Sequence, residues 1–229
     1  MSTFFIRAPQ RLTGSGERPR KVLVTGASGR IGSSFAAYAH QRYAFRLLVR
    51  QDKKRREVEA YGTVSAGDLC DRAVAEGAVD GMDTVVHLAA DPSAKADWRS
   101  LRPNNIEATY NVFAAAVQAG CRRVLFASSI HAVSGYPQGY QVHASDPVNP
   151  GDLYGVSKCF GEALARLTAE QAGISAIVLR IGSFQPRDAA VQPERIGMMH
   201  PFVSHRDLNQ LICCCIDDET HQSGPFHGP

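Results

Sequence analysis

No stretch of this chain is apolar over the ~18 residues that a membrane-spanning helix needs, so no membrane partner is expected. Charge of one sign is also scarce in excess: 25 Lys and Arg against 22 Asp and Glu leave a formal +3. That balance does not argue for nucleic acid as a partner. None of the six cysteines, at 70, 121, 159 and 213–215, forms a C-x-x-C pair, and three are adjacent. This suits neither a zinc site nor a disulfide framework, so no metal is expected and the thiols read as reduced packing residues of a cytoplasmic protein. Phe4, Phe5 and Ile6 give way at once to a polar stretch with Gly14, Gly16 and Pro19. The apolar core is too short for a signal peptide, and 1–20 reads as a flexible N-terminal extension. The remainder, 21–229, has the length of a single domain, with a small substrate-binding part over about 183–229.

What the chain does have is alternation. Compact β-rich runs at 21–25 (KVLVT), 45–49 (FRLLV), 63–66, 83–89 (DTVVHLA), 123–128 and 174–180 (ISAIVLR) are separated by helical stretches. Those stretches fall at 30–41, near 52–60, and at 71–79, 104–119, 152–172 and 205–216, with Gly173 as the stop after the fifth. Repeated β-α units predict an α/β fold: a doubly wound parallel sheet (Rossmann type) in three α/β/α layers.

Directly after the first strand comes TGASGRIG, with Gly26, Gly29 and Gly32. A glycine triad alone is weak evidence, but this one leaves a buried strand and opens a helix. There the glycines permit a tight turn and let backbone N–H groups approach a pyrophosphate at the helix start, which implicates Ser28, Arg30 and Ile31 as well. At the end of the second strand an acidic residue would bond a ribose 2′-OH, whereas arginine can pair with a 2′-phosphate. The strand ends Val49-Arg50-Gln51-Asp52. Arg50, with Arg30 in reach, favours NADP over NAD; Asp52 is the rival acidic residue. Lys53, Lys54, Arg55 and Arg56 read mostly as a solvated face.

Tyr154-Gly-Val-Ser-Lys158 sets a tyrosine and a lysine four residues apart, on one face near the start of a long helix. A phenol with a pKa near ~10 is a poor base at neutral pH unless a cation stabilises its phenolate. Lys158 supplies that cation and can also bond a nicotinamide ribose. Ser129, at the end of the fifth strand, is placed to polarise the reacting C–O group.

TGASGRIG, Gly67-Asp68-Leu69, HLAA (87–90), ASS (127–129) and YGVSK together resemble the extended short-chain dehydrogenase/reductase pattern (the NAD-dependent epimerase/dehydratase family) over about 21–228. The resemblance implies that Asp68 and Leu69 contact the adenine, that Ala89, Ala90 and Ile181 line the dinucleotide groove, and that Asn105 supports a proton relay with Tyr154 and Lys158. From the residues alone, Asp68 also reads as a turn or cap residue, and Asn105 as a buried amide satisfied by backbone. The family often forms homo-oligomers through the helix bearing the Tyr and Lys.

Longer stretches, FASSIHAVSGYPQ (126–138), DLYGVSKCFGEALAR (152–166), LRIGSFQP (179–186) and FVSHRDL (202–208), resemble uronate dehydrogenases and related sugar dehydrogenases. Such enzymes pass hydride from the anomeric carbon of a hexuronate to NAD. The likeness implies a sugar-type substrate contacted by Ser93, His131 and Ser183, with Arg195 on its carboxylate and Arg187 as the rival. The chain departs from those relatives in three places. Arg50 stands where they carry an acid, Ile130 follows the serine where they carry Asn, and their pattern continues past the position of Pro229. A nucleotide-sugar epimerase or dehydratase, or a dinucleotide-binding sensor without catalysis, are the alternatives that share the cofactor motifs.

Overall fold

A computed structural model of the chain describes residues 19–186 and 201–220. The first strand, β1 (Lys21–Thr25), is buried from its second residue onward. Val22 and Val24 point into one hydrophobic cluster and Leu23 into another, as strand alternation requires of a strand covered on both faces. The glycine loop then leads into helix α1 (Arg30–Ala39), and the chain returns as β2 (Ala44–Val49). After two short 3-10 turns it adds β3 (Thr63–Ala66), α2 (Arg72–Val79) and β4 (Thr84–His87). A short helix, α3 (Trp98–Leu101), runs through a wide π turn (Arg102–Glu107) into α4 (Ala108–Gln118). Then follow β5 (Arg123–Ser129), α5 (Leu153–Ala172) and β6 (Ser175–Ile181).

The six strands are all parallel, in the order β3-β2-β1-β4-β5-β6. The sequence crosses from one half of the sheet to the other between β1 and β4, the switch point at which doubly wound sheets leave a crevice at their carboxyl ends. One side of the sheet is covered by Phe35, Ala36 and Ala39 of α1 together with Leu208, Ile212, Cys213 and Ile216 of a last helix, α6 (His205–Asp217). The other side carries Ala75 and Val79 of α2, Val112 and Phe113 of α4, and Ala165 of α5. The expected three-layer Rossmann architecture is what forms.

Three local expectations are corrected. The charged stretch near 52–60 is not one helix but 3-10 turns at Asp52–Glu57 and Glu59–Tyr61, broken where Val58 leaves helical geometry and buries itself in the core. The helix expected from 104 begins at Trp98 and changes winding on the way, since Pro103 has no N–H for the α ladder and Ala108 N bonds Pro103 O. A separate two-stranded parallel sheet, β7 (Ser183–Gln185) with β8 (Phe202–Ser204), has no counterpart in the sequence pattern. Residues 1–18 of the N-terminal extension, Arg187 and Arg195 lie outside the described residues.

Candidate active site

The turn after β1 is held open by backbone packing that leaves no room for side chains. Gly26 takes the left-handed φ of +65°, and a Cβ there would come within 2.9 Å of the Ala89 Cα. At Gly32 a Cβ would lie 2.4 Å from the Gly26 carbonyl oxygen. The loop therefore lies directly against the end of β4, and α1 starts where the chain can turn most tightly.

The start of α1 differs from its neighbours. Helices α2, α3, α5 and α6 are each capped by a side-chain oxygen, from Asp71, Asp97, Asp152 and Ser204. Gly29 at the start of α1 offers none, and no acid sits in the first turn. The first backbone N–H groups of α1 are thus left as donors at the positive end of the helix dipole. An uncapped, glycine-lined helix start of this kind fits the pyrophosphate of a dinucleotide.

A cleft opens beside it, lined by Gly26 and Ser28 of the loop, Arg50 past β2, Asp68 and Leu69 past β3, and Ala89 and Ala90 past β4. Seven of the expected cofactor residues therefore share one surface. Asp68 accepts a hydrogen bond from Cys70 N at 3.0 Å, and that bond holds its carboxyl below the usual range. It is a turn residue that also faces the cleft. Arg50 is exposed at the rim, its Nη2 bonded to Asn104 Oδ1. Arg30 does not share that surface: its Nη2 donates to the Phe184 carbonyl at 2.6 Å, joining the loop to β7. Asp52 pairs with Arg55 at 3.0 Å and does not line the cleft.

Below the cleft, HLAA owes its histidine to structure. Thr25 Oγ1 accepts from Leu88 N and Ala89 N, both at 3.2 Å, so its hydroxyl proton goes to His87 Nδ1 at 2.8 Å. His87 must then carry its proton on Nε2, facing Thr109 Oγ1 at 3.2 Å. Complete burial, with the nearby Lys158, lowers its pKa to about 3, so it stays neutral. This network fixes the β4 end against β1 and α4.

The second half of the site is built where β5 meets α5. Ser129 is the last residue of β5, level with Ile181 of β6. It caps a 3-10 turn (Ile130–Val133), its Oγ accepting from His131 N at 3.2 Å. Gly155 lets α5 begin against that turn, for a Cβ there would be 2.2 Å from the His131 carbonyl oxygen. The approach brings Tyr154 to Ser129, whose hydroxyl acts to lower the phenol's pKa. Burial, the larger influence, outweighs it, with Asp152 and Asp91 adding to the burial, and the phenol stands above its ordinary value.

Lys158 is 4% exposed, and its Nζ donates to the Ala127 carbonyl at 2.8 Å. Burial lowers its pKa to about 8. Nζ lies 5.6 Å from the Tyr154 ring centroid and 5.2 Å from that of Phe126. The His131 ring stands edge-on to Tyr154, 5.3 Å between centroids. Ser129, His131, Tyr154 and Lys158 thus converge.

Asn105 is set further back. Its Oδ1 accepts from Asp91 N at 2.8 Å, and its Nδ2 donates to Asp91 O at 3.1 Å and to Ser157 Oγ at 2.9 Å. Ser157 in turn donates to the Tyr154 carbonyl at 2.6 Å. The amide is satisfied mainly by backbone and reaches the tyrosine through Ser157. Ser93 is exposed in the turn after β4, where its N donates to Asp91 Oδ1 and its Oγ accepts from Lys95 N. Ser183 opens β7, its N bonded to Pro201 O at 2.6 Å.

Two partners escaped the sequence reading: Asn104, which holds Arg50, and Asp152, which holds His131 through Oδ2 at 2.6 Å. Asp152 carried a signal, since it directly precedes the helix and so marks a cap. Asn104 carried none, because its pairing depends on the wide turn before α4. Among the described residues, no helix is long and apolar enough to cross a membrane.

Residues 22–195 match the model of the NAD dependent epimerase/dehydratase family. The chain is 36% identical to an NAD-dependent glucose-6-phosphate dehydrogenase of Haloferax volcanii, over 86% of this chain and 80% of that one. It is 33% identical to a uronate dehydrogenase of Agrobacterium fabrum, over 84% and 70% of the two chains. Its fold superimposes on a tyrosine-to-alanine mutant of a uronate dehydrogenase of Agrobacterium tumefaciens complexed with NAD, with a TM-score of 0.78, 29% identity, and 91% and 76% coverage. With its glycine loop, its parallel sheet and its Tyr-Lys helix in these places, the chain belongs to the NAD-dependent epimerase/dehydratase family.

Proposed function

We propose that the protein is a nicotinamide-dependent sugar dehydrogenase that oxidises the anomeric hydroxyl of an aldose to a lactone. The observation that carries this reading is the convergence of Ser129, Tyr154 and Lys158 beside a cleft suited to a dinucleotide. The relatives named for glucose-6-phosphate and for uronate support an aldose with an anionic group at its far end. Both are small substrates, in contrast to the nucleoside-diphosphate sugars of an epimerase.

In this reading Gly26, Ser28, Gly29, Ile31 and Gly32 form the pyrophosphate cradle, with Asp68 and Leu69 at the adenine. Ala89, Ala90 and Ile181 flank the groove, and Arg50 at the rim favours a 2′-phosphate and hence NADP. The bound nicotinamide supplies the hydride acceptor. Ser129 donates to the sugar C1 oxygen and holds it near Tyr154. Tyr154, as phenolate, takes the hydroxyl proton while the C1 hydrogen leaves with its electron pair, so that C1 becomes a lactone carbonyl. Lys158 has donors left over from its bond to Ala127. They serve the ribose hydroxyls, and its charge favours the phenolate. Ser93, His131 and Ser183 contact sugar hydroxyls, with Arg195 for the anionic end.

The test is a panel of uronates, aldoses and sugar phosphates followed by nicotinamide absorbance with NAD and with NADP. Turnover of an aldose that is lost in Tyr154→Phe supports the reading. Tight dinucleotide binding with no turnover of any sugar would sink it and favour a sensor.

A further inference from the structure

Asp152 does more than a helix cap requires. Its Oδ1 accepts from Gly155 N at 2.7 Å, which starts α5. Its Oδ2 is the partner of His131 Nδ1 at 2.6 Å. The cap alone needs no carboxylate, for in this same chain Ser204 starts α6 with a hydroxyl, accepting from Asp207 N at 3.1 Å. The second oxygen is therefore spent on the histidine.

We propose that Asp152 is a positioning residue that fixes the tautomer of His131 and sets that ring for ligand binding beside Tyr154. An ionised carboxylate can only accept, so Nδ1 must carry the proton and the neutral ring keeps Nε2 as an acceptor. The backbone of the same histidine donates to Ser129 Oγ, which leaves the Ser129 hydroxyl proton for Tyr154 or for a substrate oxygen. One aspartate thus joins the turn carrying Ser129 and His131 to the helix carrying Tyr154. Its carboxyl is itself held below the usual range: burial opposes this, but the Gly155 N–H and His131 overcome it. The His131 side chain keeps 34% of its exposure, so a ligand hydroxyl can reach it. A sugar hydroxyl would then donate to Nε2, and the site would select for a hydroxyl rather than a carbonyl oxygen at that position.

The kinetic arm of this proposal rests on the dehydrogenase reading; the spectroscopic arm does not. Asp152→Asn keeps an oxygen for the Gly155 cap but turns an NH2 toward Nδ1, which inverts the tautomer. Asp152→Ser keeps the cap and removes the contact. With 15N-histidine labelling, and His131→Gln to assign the signal, the intact protein is expected to show an Nδ1–H imidazole at His131 and Asp152→Asn an Nε2–H one. Both variants should melt within a few degrees of the parent. Sugar kcat/KM should fall tenfold or more, with KM carrying the larger share and dinucleotide affinity unchanged. An unchanged His131 tautomer in Asp152→Asn overturns the proposal, as does an inverted tautomer with parental kinetics. A parent that oxidises no sugar sinks the dehydrogenase reading instead, and the spectra still decide what Asp152 does.

Discussion

The ammonium of Lys158 and the phenol of Tyr154 stand one helical turn apart on α5, Nζ 5.6 Å from the ring centroid, both buried and both shifted by that burial. Desolvation works against the charged form of each, raising the phenol above its ordinary value and lowering the amine to about 8, so burial alone moves the two apart. A phenolate-ammonium pair shares one desolvated space, whereas either charge alone is penalised there. That arrangement suits proton transfer, and it makes the following outcomes expected.

Tyr154→Phe keeps the ring that packs edge-on against His131 and loses only the hydroxyl. A positioned general base contributes roughly 10²–10⁴-fold to a rate. The variant should therefore lose at least 10²-fold in sugar kcat while its dinucleotide affinity, read by fluorescence titration, stays within about twofold of the parent. A smaller loss would move the base elsewhere.

Lys158 has a folded pKa near 8, below its unfolded value of 10.5. Between those two pH values the unfolded chain binds the extra proton, so unfolding becomes harder as pH rises. The stabilising effect of neutralising the lysine is complete above 10.5 and lost as pH falls through 8. The gap corresponds to roughly 3 kcal/mol. Lys158→Met carries no such charge. Its stability relative to the parent, from urea unfolding of the ligand-free proteins, should be most favourable below pH 8 and decline toward pH 10. A difference that is flat across this range would show that the amine is not desolvated.

Arg50→Asp should exchange a 2′-phosphate partner for a 2′-hydroxyl partner at the rim. A hydrogen bond to a charged group is worth about 1.5–3 kcal/mol, so NADP affinity should fall roughly 10- to 100-fold while NAD improves. The Asn104 bond presents the guanidinium at the cleft, and Asn104→Ala should weaken NADP alone, by less. Equal effects on both dinucleotides would remove Arg50 from the discrimination.

These expectations depend unevenly on what the sequence showed. The central strands β1, β4 and β5 were legible because they are buried on both faces and read as largely apolar runs; 63–66 and the end at Gly173, left-handed at φ 67°, fell where composition placed them. Tyr154, Lys158 and Ser129 were legible because a helix repeat and a strand end are local facts. The partners that hold Arg50 and His131 were not. Asn104 meets Arg50 across 54 residues, and Asp152 meets His131 across 21, through turns whose geometry no periodicity announces. Strands β7 and β8 are three residues each, too short for alternation to register. Asn105 illustrates the intermediate case: its burial was foreseeable, but its bonds go to Asp91 and Ser157 rather than to the lysine.

Gly155 offers the sharpest separation of folding from catalysis. It lies between Tyr154 and Lys158, and a Cβ there would meet the His131 carbonyl oxygen at 2.2 Å and its carbonyl carbon at 2.8 Å. Both are backbone atoms, so no side chain can swing aside. In Gly155→Ala either α5 or the 130–133 turn must shift by about an ångström, an overpacking cost of roughly 1–3 kcal/mol. The glycine loop follows β1, two strands from β5 in the sheet, so dinucleotide binding should persist in the folded fraction. Catalysis should not, because the shift separates Ser129 and His131 from Tyr154, and misplacement on that scale can cost on the order of 10²-fold. Thermal unfolding, dinucleotide titration and sugar kcat/KM measured on one preparation distinguish the two effects. A variant that is destabilised yet fully active per folded molecule would mean that the two halves of the site need not be held this closely. A stable and inactive one would show that the contact exists for the chemistry.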